Sequence, residues 1–167
     1  VYLEAGENVV LVGDLHGRTV GLLIPDWMRQ PTLGYQPTKD PEGWGLKKQE
    51  ILLHEGVNVI NVKKAGNVYV DYFADDPDTA PAVTIHFVTG KVNGYFDATV
   101  QSNEDWNRLL DNAVSPVMDV KGKYIQLAYP VEQLKKLAYG KGKELAENYD
   151  KVMQVQYDLS GATKYNR

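Results

Sequence analysis

Val83-Thr84-Ile85-His86-Phe87-Val88 and, farther along, Trp106-Asn107-Arg108-Leu109-Leu110-Asp111-Asn112-Ala113 follow different periods, and that change decides the fold. In the first run Val83, Ile85 and Phe87 alternate with Thr84 and His86, the period of two of a half-buried strand. In the second, Trp106, Leu109, Leu110 and Ala113 recur at helical spacing behind Ser102, with Asp105 three residues later as a capping box. Working back from Val83, apolar runs at Val68 to Phe73, Val57 to Val62, Ile51 to Leu53, Val20 to Ile24 and Val9 to Val12 read as further short strands. No helix-length segment lies between them to carry a parallel crossover, so antiparallel pairing is expected. Hairpins are expected at Ala65-Gly66-Asn67 and from Asp14 to Arg18.

Working forward from Ala113, Lys123 to Tyr129 reads as a strand. Pro130 opens a short helix with Val131, Leu134 and Leu137 on one face, stopped by Gly140. The longest helix is expected from Lys141 to Ser160, with Leu145, Tyr149, Val152 and Met153 as its apolar stripe and Gly161 as its cap. The expected fold class is α+β, an antiparallel β-sandwich-like N-terminal half followed by a helical C-terminal segment. The expected division is a β-rich accessory domain over residues 1–98 and a mixed helical segment over residues 99–167.

The 167 residues can bury a core without staples, and 43% apolar with 24% charged residues is the balance of a folded globular chain. A net charge of −4 offers no basic footprint to a phosphate backbone, so nucleic acid is not an expected partner. The chain has no Cys, which excludes Cys-ligated zinc, thiol catalysis and disulfides. No apolar run is long enough to span a bilayer. The start at Val1-Tyr2-Leu3, without an initiator Met, is expected of a mature or trimmed terminus.

Gly13-Asp14-Leu15-His16-Gly17, following an apolar run, resembles the first metal motif of the calcineurin-like phosphoesterases. Such a two-metal centre needs further Asp, Asn and His ligands, and the remaining histidines, His54 and His86, lack the sequence context for it. His54-Glu55 begins a His-Glu-x-x-His zinc motif, but position 58 is Asn. Asp75-Asp76-Pro77-Asp78 offers oxygen ligands to Ca²⁺ yet lacks the Gly and distal Glu of an EF-hand loop, so a solvated turn is expected. There is no nucleophile elbow, phosphate-binding Gly loop or dinucleotide fingerprint. The remaining candidates are Trp27, Tyr35 and Trp44, set among Pro25, Pro31, Pro37 and Pro41 in an aperiodic stretch. Flat aromatic faces of this kind stack on sugars, and these three are the candidate carbohydrate-binding residues.

Several segments together resemble the enhancin-like, mucin-targeting zinc metallopeptidases of the gluzincin group. They are Val1-Tyr2-Leu3-Glu4-Ala5-Gly6-Glu7, Gly90-Lys91-Val92-Asn93-Gly94-Tyr95-Phe96-Asp97 and Trp106 to Ala113, then Gly122-Lys123-Tyr124 with Tyr129-Pro130, and Gly142-Lys143-Glu144-Leu145 with Tyr149-Asp150. In that family the His-Glu-x-x-His helix and a further Glu ligand lie C-terminal to this region, so no catalytic or metal-binding residue carries over. The resemblance implies a secreted or bacterial cell-surface protein whose parent uses zinc to cleave O-glycosylated, mucin-like host glycoproteins. This chain would be its non-catalytic N-terminal portion, inactive alone, without a cofactor of its own and in contact with a C-terminal catalytic region. That contact implies an apolar face left open on the helix from Lys141 to Ser160. A self-contained carbohydrate-binding or adhesive module recognising mucin O-glycans is the alternative reading.

Overall fold

The structure is a computed structural model that describes residues 1–25 and 48–162. The fold is α+β, and the chain divides into two compact units, Val1–Val92 and Asn93–Arg167.

Among the described residues, the regular elements of the first unit are all strands. They are β1 (Tyr2–Leu3), β2 (Gly6–Val12), β3 (Val20–Pro25), β4 (Lys48–Leu52), β5 (Gly56–Val62), β6 (Gly66–Asn67), β7 (Tyr69–Tyr72) and β8 (Ile85–Phe87). Every pairing is antiparallel: β5-β2-β8 form one three-stranded sheet, β4-β3-β7 a second, and β1-β6 a short ribbon. Period-two alternation gives each sheet one buried face, while Leu11, Val57 and Val59 stand exposed on the other face of the β2–β5 pair. Val10 and Val12 of β2 and Ile60 and Val62 of β5 share a core with Val20, Leu22 and Ile24 of β3, a sandwich-like arrangement. At its margin the Gln49 amide of β4 donates to the Asn61 carbonyl of β5 at 2.7 Å and accepts from the Lys63 amide at 2.9 Å, tying the edges of the two sheets.

Both expected hairpins give way to crossings between sheets. The strands flanking Asp14 to Arg18 are β2 and β3, and those flanking Ala65-Gly66-Asn67 are β5 and β7; each pair is split between sheets. The first turn is genuine but serves another purpose. The Asp14 carboxylate accepts from the His16 amide at 2.7 Å, and His16 and Gly17 take φ values of 54° and 71°, the left-handed turn for which Gly is suited. This seats Leu15 in the core, and its amide donates to Glu55 at 2.9 Å. Gly66 and Asn67 pair with Leu3 and Tyr2 instead of closing a hairpin.

The second unit comprises β9 (Phe96–Asp97), α1 (Asn103–Asp111), β10 (Val117–Lys121), β11 (Gln126–Pro130), α2 (Val131–Ala138) and α3 (Gly142–Ser160). β9 and β10 are parallel, with α1 as the connection between them, and β11 returns antiparallel on the other side of β10. Ser102 and Asp105 form the expected reciprocal capping box at the start of α1. Trp106 is fully buried; its ring centroid lies 5.0 Å from that of Phe96, and its indole N–H donates to the Ala138 carbonyl at 2.8 Å. Gly142 opens α3 against the same indole, where an added Cβ would lie 2.5 Å from a ring carbon.

Three details of the sequence reading are corrected. The strand expected at Lys123 to Tyr129 begins at Gln126, because Lys123 and Tyr124 lie in a turn whose amides are held by Asp150. On α2 the buried pair is Leu134 and Ala138, and Leu137 stands 74% exposed. On α3 the inward line runs through Gly142, Ala146, Tyr149 and Met153, whereas Val152, Val155 and Leu159 form an exposed apolar face.

Gly142→Ala is expected to cost about 1–3 kcal/mol by pressing a methyl group into the indole. Gly140→Ala, where φ is 75° with open space around the added carbon, is expected to cost about 1–2 kcal/mol from backbone strain alone. Urea unfolding followed by Trp fluorescence measures both, and a large blue-to-red change in the native spectrum is expected for Gly142→Ala only.

Candidate functional site

Trp27, Tyr35 and Trp44 lie outside the described residues. The other motif residues are placed, and the turn chemistry of each is explicit. His54 donates its amide to the Asn58 side chain at 3.0 Å, and that amide group returns a bond to the His54 carbonyl at 2.7 Å. Asn58, where a zinc helix would carry its second His, therefore braces a turn into β5, and the segment is strand instead of helix. Asp76 accepts from the Asp78 amide at 3.2 Å and the Thr79 hydroxyl at 2.7 Å, so the acidic run is a self-bonded turn. Among the described residues no three His, Cys, Asp or Glu side chains come together as a metal-binding group, and His16, His54 and His86 are not united.

The polar chemistry of the second unit gathers at two places. At the end of β9, Asp97 accepts from the Thr99 hydroxyl at 2.5 Å, from the Thr99 amide at 3.0 Å and from the Lys121 ammonium at 2.9 Å. The Thr99 hydroxyl foremost, and Lys121 next, hold the Asp97 carboxyl down at about 2. Lys121 is in turn held above its ordinary range by Asp97. This node joins the two parallel strands at Asp97 and Lys121, which are register partners.

The second place is a cleft of about 740 Å³ between the β10–β11 turn and the end of α3. Its walls include Lys123, Tyr124 and Gln126 on one side and Gln154 and Tyr157 on the other. Asp150 fixes the turn by accepting from the amides of Lys123 at 2.9 Å and Tyr124 at 2.7 Å. Gly122 is required there, since a Cβ at this position would lie 2.7 Å from both Asp150 carboxylate oxygens. Tyr124 and Tyr157 meet edge to face with ring centroids 6.0 Å apart, and the Lys123 ammonium sits 4.9 Å from the Tyr124 ring centroid. Beyond the cleft, the Tyr129 and Tyr149 hydroxyls meet at 2.5 Å, and this bond raises the Tyr129 phenol above its usual range. The sequence reading missed the cleft because its residues belong to a turn and a helix that are distant in the chain. The available signal was Tyr157 continuing the helical spacing of Tyr149 and Met153 opposite the Gly122-Lys123-Tyr124 turn.

Residues 91–167, which carry both features, match a known family. The family is peptidase M60, enhancin and enhancin-like. The resemblance drawn from the residue strings therefore holds from Lys91 onward. The same topology is found in solved M60-type structures. A metallopeptidase from Bacteroides thetaiotaomicron superposes with a TM-score of 0.75 at 22% identity, over 95% of this chain and 26% of that one. A metallopeptidase in complex with Tn antigen gives 0.74 at 21% identity, over 95% of this chain and 29% of that one. The M60 catalytic domain of ZmpC from Clostridium perfringens, in complex with the sialyl T antigen, gives 0.65 at 14% identity, over 94% and 34%. At these identities the likeness is one of fold, and the chain spans about a quarter to a third of each solved chain. No curated protein matches the chain by sequence.

In the M60-like unit, Asp97 is depressed relative to its value of about 4 in an unfolded chain, so the stability it contributes is present above pH 4 and lost as the pH falls toward about 2. Asp97→Asn is expected to lower the melting temperature at pH 7 and to flatten its decline between pH 4 and pH 2. Thermal unfolding across that range, read by near-ultraviolet circular dichroism, checks both.

Proposed function

We propose that the chain is the non-catalytic N-terminal portion of an enhancin-like zinc metallopeptidase that cleaves O-glycosylated, mucin-like host proteins and is secreted or held on a bacterial cell surface. The observation that carries this reading is the family match over residues 91–167, which runs through the strings around Asp97, Trp106, Tyr124 and Gly142. The glycan ligands of the solved relatives, Tn antigen and sialyl T antigen, support a glycoprotein substrate.

On this reading a His-Glu-x-x-His helix and a further Glu, which follow these residues in the family, would hold zinc in the parent enzyme, and the bound metal would supply Lewis-acid activation of water and of the scissile carbonyl. The chain's own contribution is positional. Its sandwich and its M60-like unit would help to seat substrate or support the catalytic fold, and the exposed Val152, Val155 and Leu159 face of α3 is suited to contact with the catalytic region.

The test begins with the gene beyond Arg167. An in-frame His-Glu-x-x-His sequence is expected, and the extended protein is expected to cleave an O-glycosylated mucin in gel assays, with activity removed by a zinc chelator and restored by zinc. The present chain is expected to give no cleavage. A stop codon directly after Arg167 would overturn the peptidase reading in favour of a self-contained carbohydrate-binding module. That alternative rests on Trp27, Tyr35 and Trp44, and it requires a saturable Trp fluorescence change with mucin O-glycans that is lost in Trp27→Ala or Trp44→Ala.

A further inference from the structure

We infer that the cleft between the β10–β11 turn and the end of α3 binds an acidic sugar, one bearing a carboxylate or a sulfate ester; this rests on the glycan-directed reading above.

Three observations converge on that ligand. Tyr124, 37% exposed, and Tyr157 give the cleft aromatic surface on which the apolar face of a pyranose packs. Gln126 adds an amide group able to donate and accept at sugar hydroxyls, and Gln154, whose Nε2 donates to Asp158 at 3.1 Å, adds a carbonyl that can accept. Among the described residues the ionisable side chains that line the cleft are, apart from its phenols, the cations Lys121 and Lys123.

The two cations are not equivalent. Lys121 is paired with Asp97 at 2.9 Å, so its charge is already met. Lys123 lies over the Tyr124 ring, which with the Asp150 carboxylate holds its ammonium above the ordinary range, and Asp150 also accepts from the Lys123 and Tyr124 amides. An anionic group entering the cleft would therefore meet Lys123 while its ring lies against a tyrosine. The turn is pre-set for this by Asp150 and by the Gly122 contact beneath it, so little ordering is left for binding to supply.

The probes are 3′-sialyllactose for the carboxylate, galactose 6-sulfate for the sulfate ester, and lactose as the neutral control, titrated into the ¹⁵N-labelled 167-residue chain. Saturable amide shifts are expected at Gly122 to Gln126, Gln154 and Tyr157 with one or both acidic sugars, at least about tenfold tighter than with lactose and weakening as salt screens the charge. Lys123→Met is expected to reduce affinity about tenfold, and Lys123→Arg to retain most of it. Tyr157→Ala is expected to remove the shifts while leaving the Trp106 indole resonance in place, which reports that the unit is folded. Equal binding of lactose, no shifts with either acidic sugar, or shifts confined to other residues would each overturn the assignment. The last result would leave the glycan-directed reading standing. Failure of the extended protein to cleave mucin, with the cleft still binding, would instead overturn that reading alone.

Discussion

The burial of one indole organises the M60-like unit. Trp106 is held from four directions: by its own helix, by the Phe96 ring of β9, by the Ala138 carbonyl at the end of α2, and by the absence of a side chain at Gly142. A side chain of this size removes a large apolar area from water, and its single polar atom must find an acceptor once buried. The end of α2 supplies that acceptor, which fixes where α2 stops. The turn that follows, with the Gly140 amide donating to Asn107 at 2.7 Å, then delivers Gly142 to the indole face. Helix α3 starts where it does because a glycine is needed at that contact, and its length carries Asp150 and Tyr157 to the β10–β11 turn. The cleft is thus a downstream consequence of how Trp106 is packed.

The β-rich unit rests on a different constraint. Among the described residues its two larger sheets have three strands each, and their pairing is largely between strands distant in sequence. Such a topology needs buried polar groups that favour one arrangement over others. Asn8 serves this role: its amide donates to the Glu4 and Gly6 carbonyls, and its oxygen accepts from the Thr89 hydroxyl at 2.9 Å. Asn58 does the same for the turn into β5. Their neighbours Val10 and Ile60 supply the non-directional burial, and the two asparagines supply direction.

Local pattern was readable wherever one element decides the outcome. The alternation around Ile85, the helical spacing from Trp106 and the Ser102–Asp105 cap all specify structure within a few residues, and α+β followed from them. Connectivity was not readable, because nothing in Asp14-Leu15-His16-Gly17 distinguishes a turn that reverses a strand from one that moves it to the other sheet. That difference lies in Leu15, which enters the core, and in Glu55, which receives its amide from forty residues away. Strand β10 was hidden by Asp119, which interrupts Val117, Met118 and Val120, and β9 by its length of two residues. The cleft was illegible for the same reason as the connectivity: a turn and a helix define it only after Asp150 joins them.

The arrangement also bears on why familiar short motifs mislead here. Asp14, His54 and Asp76 occur in strings that, elsewhere, hold metals, yet in this chain each spends its hydrogen-bonding capacity on its own turn or lies beside a residue that does. A carboxylate accepting from a nearby amide, or an asparagine bridging both backbone groups of His54, satisfies the polar demands of a tight turn between strands. The residue types preferred by metals and by turns are the same, so short strings cannot separate the two. Longer strings can, because the order of Asp97, Trp106, Gly122 and Gly142 encodes a particular set of contacts: a carboxylate that joins two strands, an indole that needs a glycine, and a glycine that needs an aspartate. A resemblance carried by such mutually dependent positions has a physical basis that a five-residue metal motif lacks.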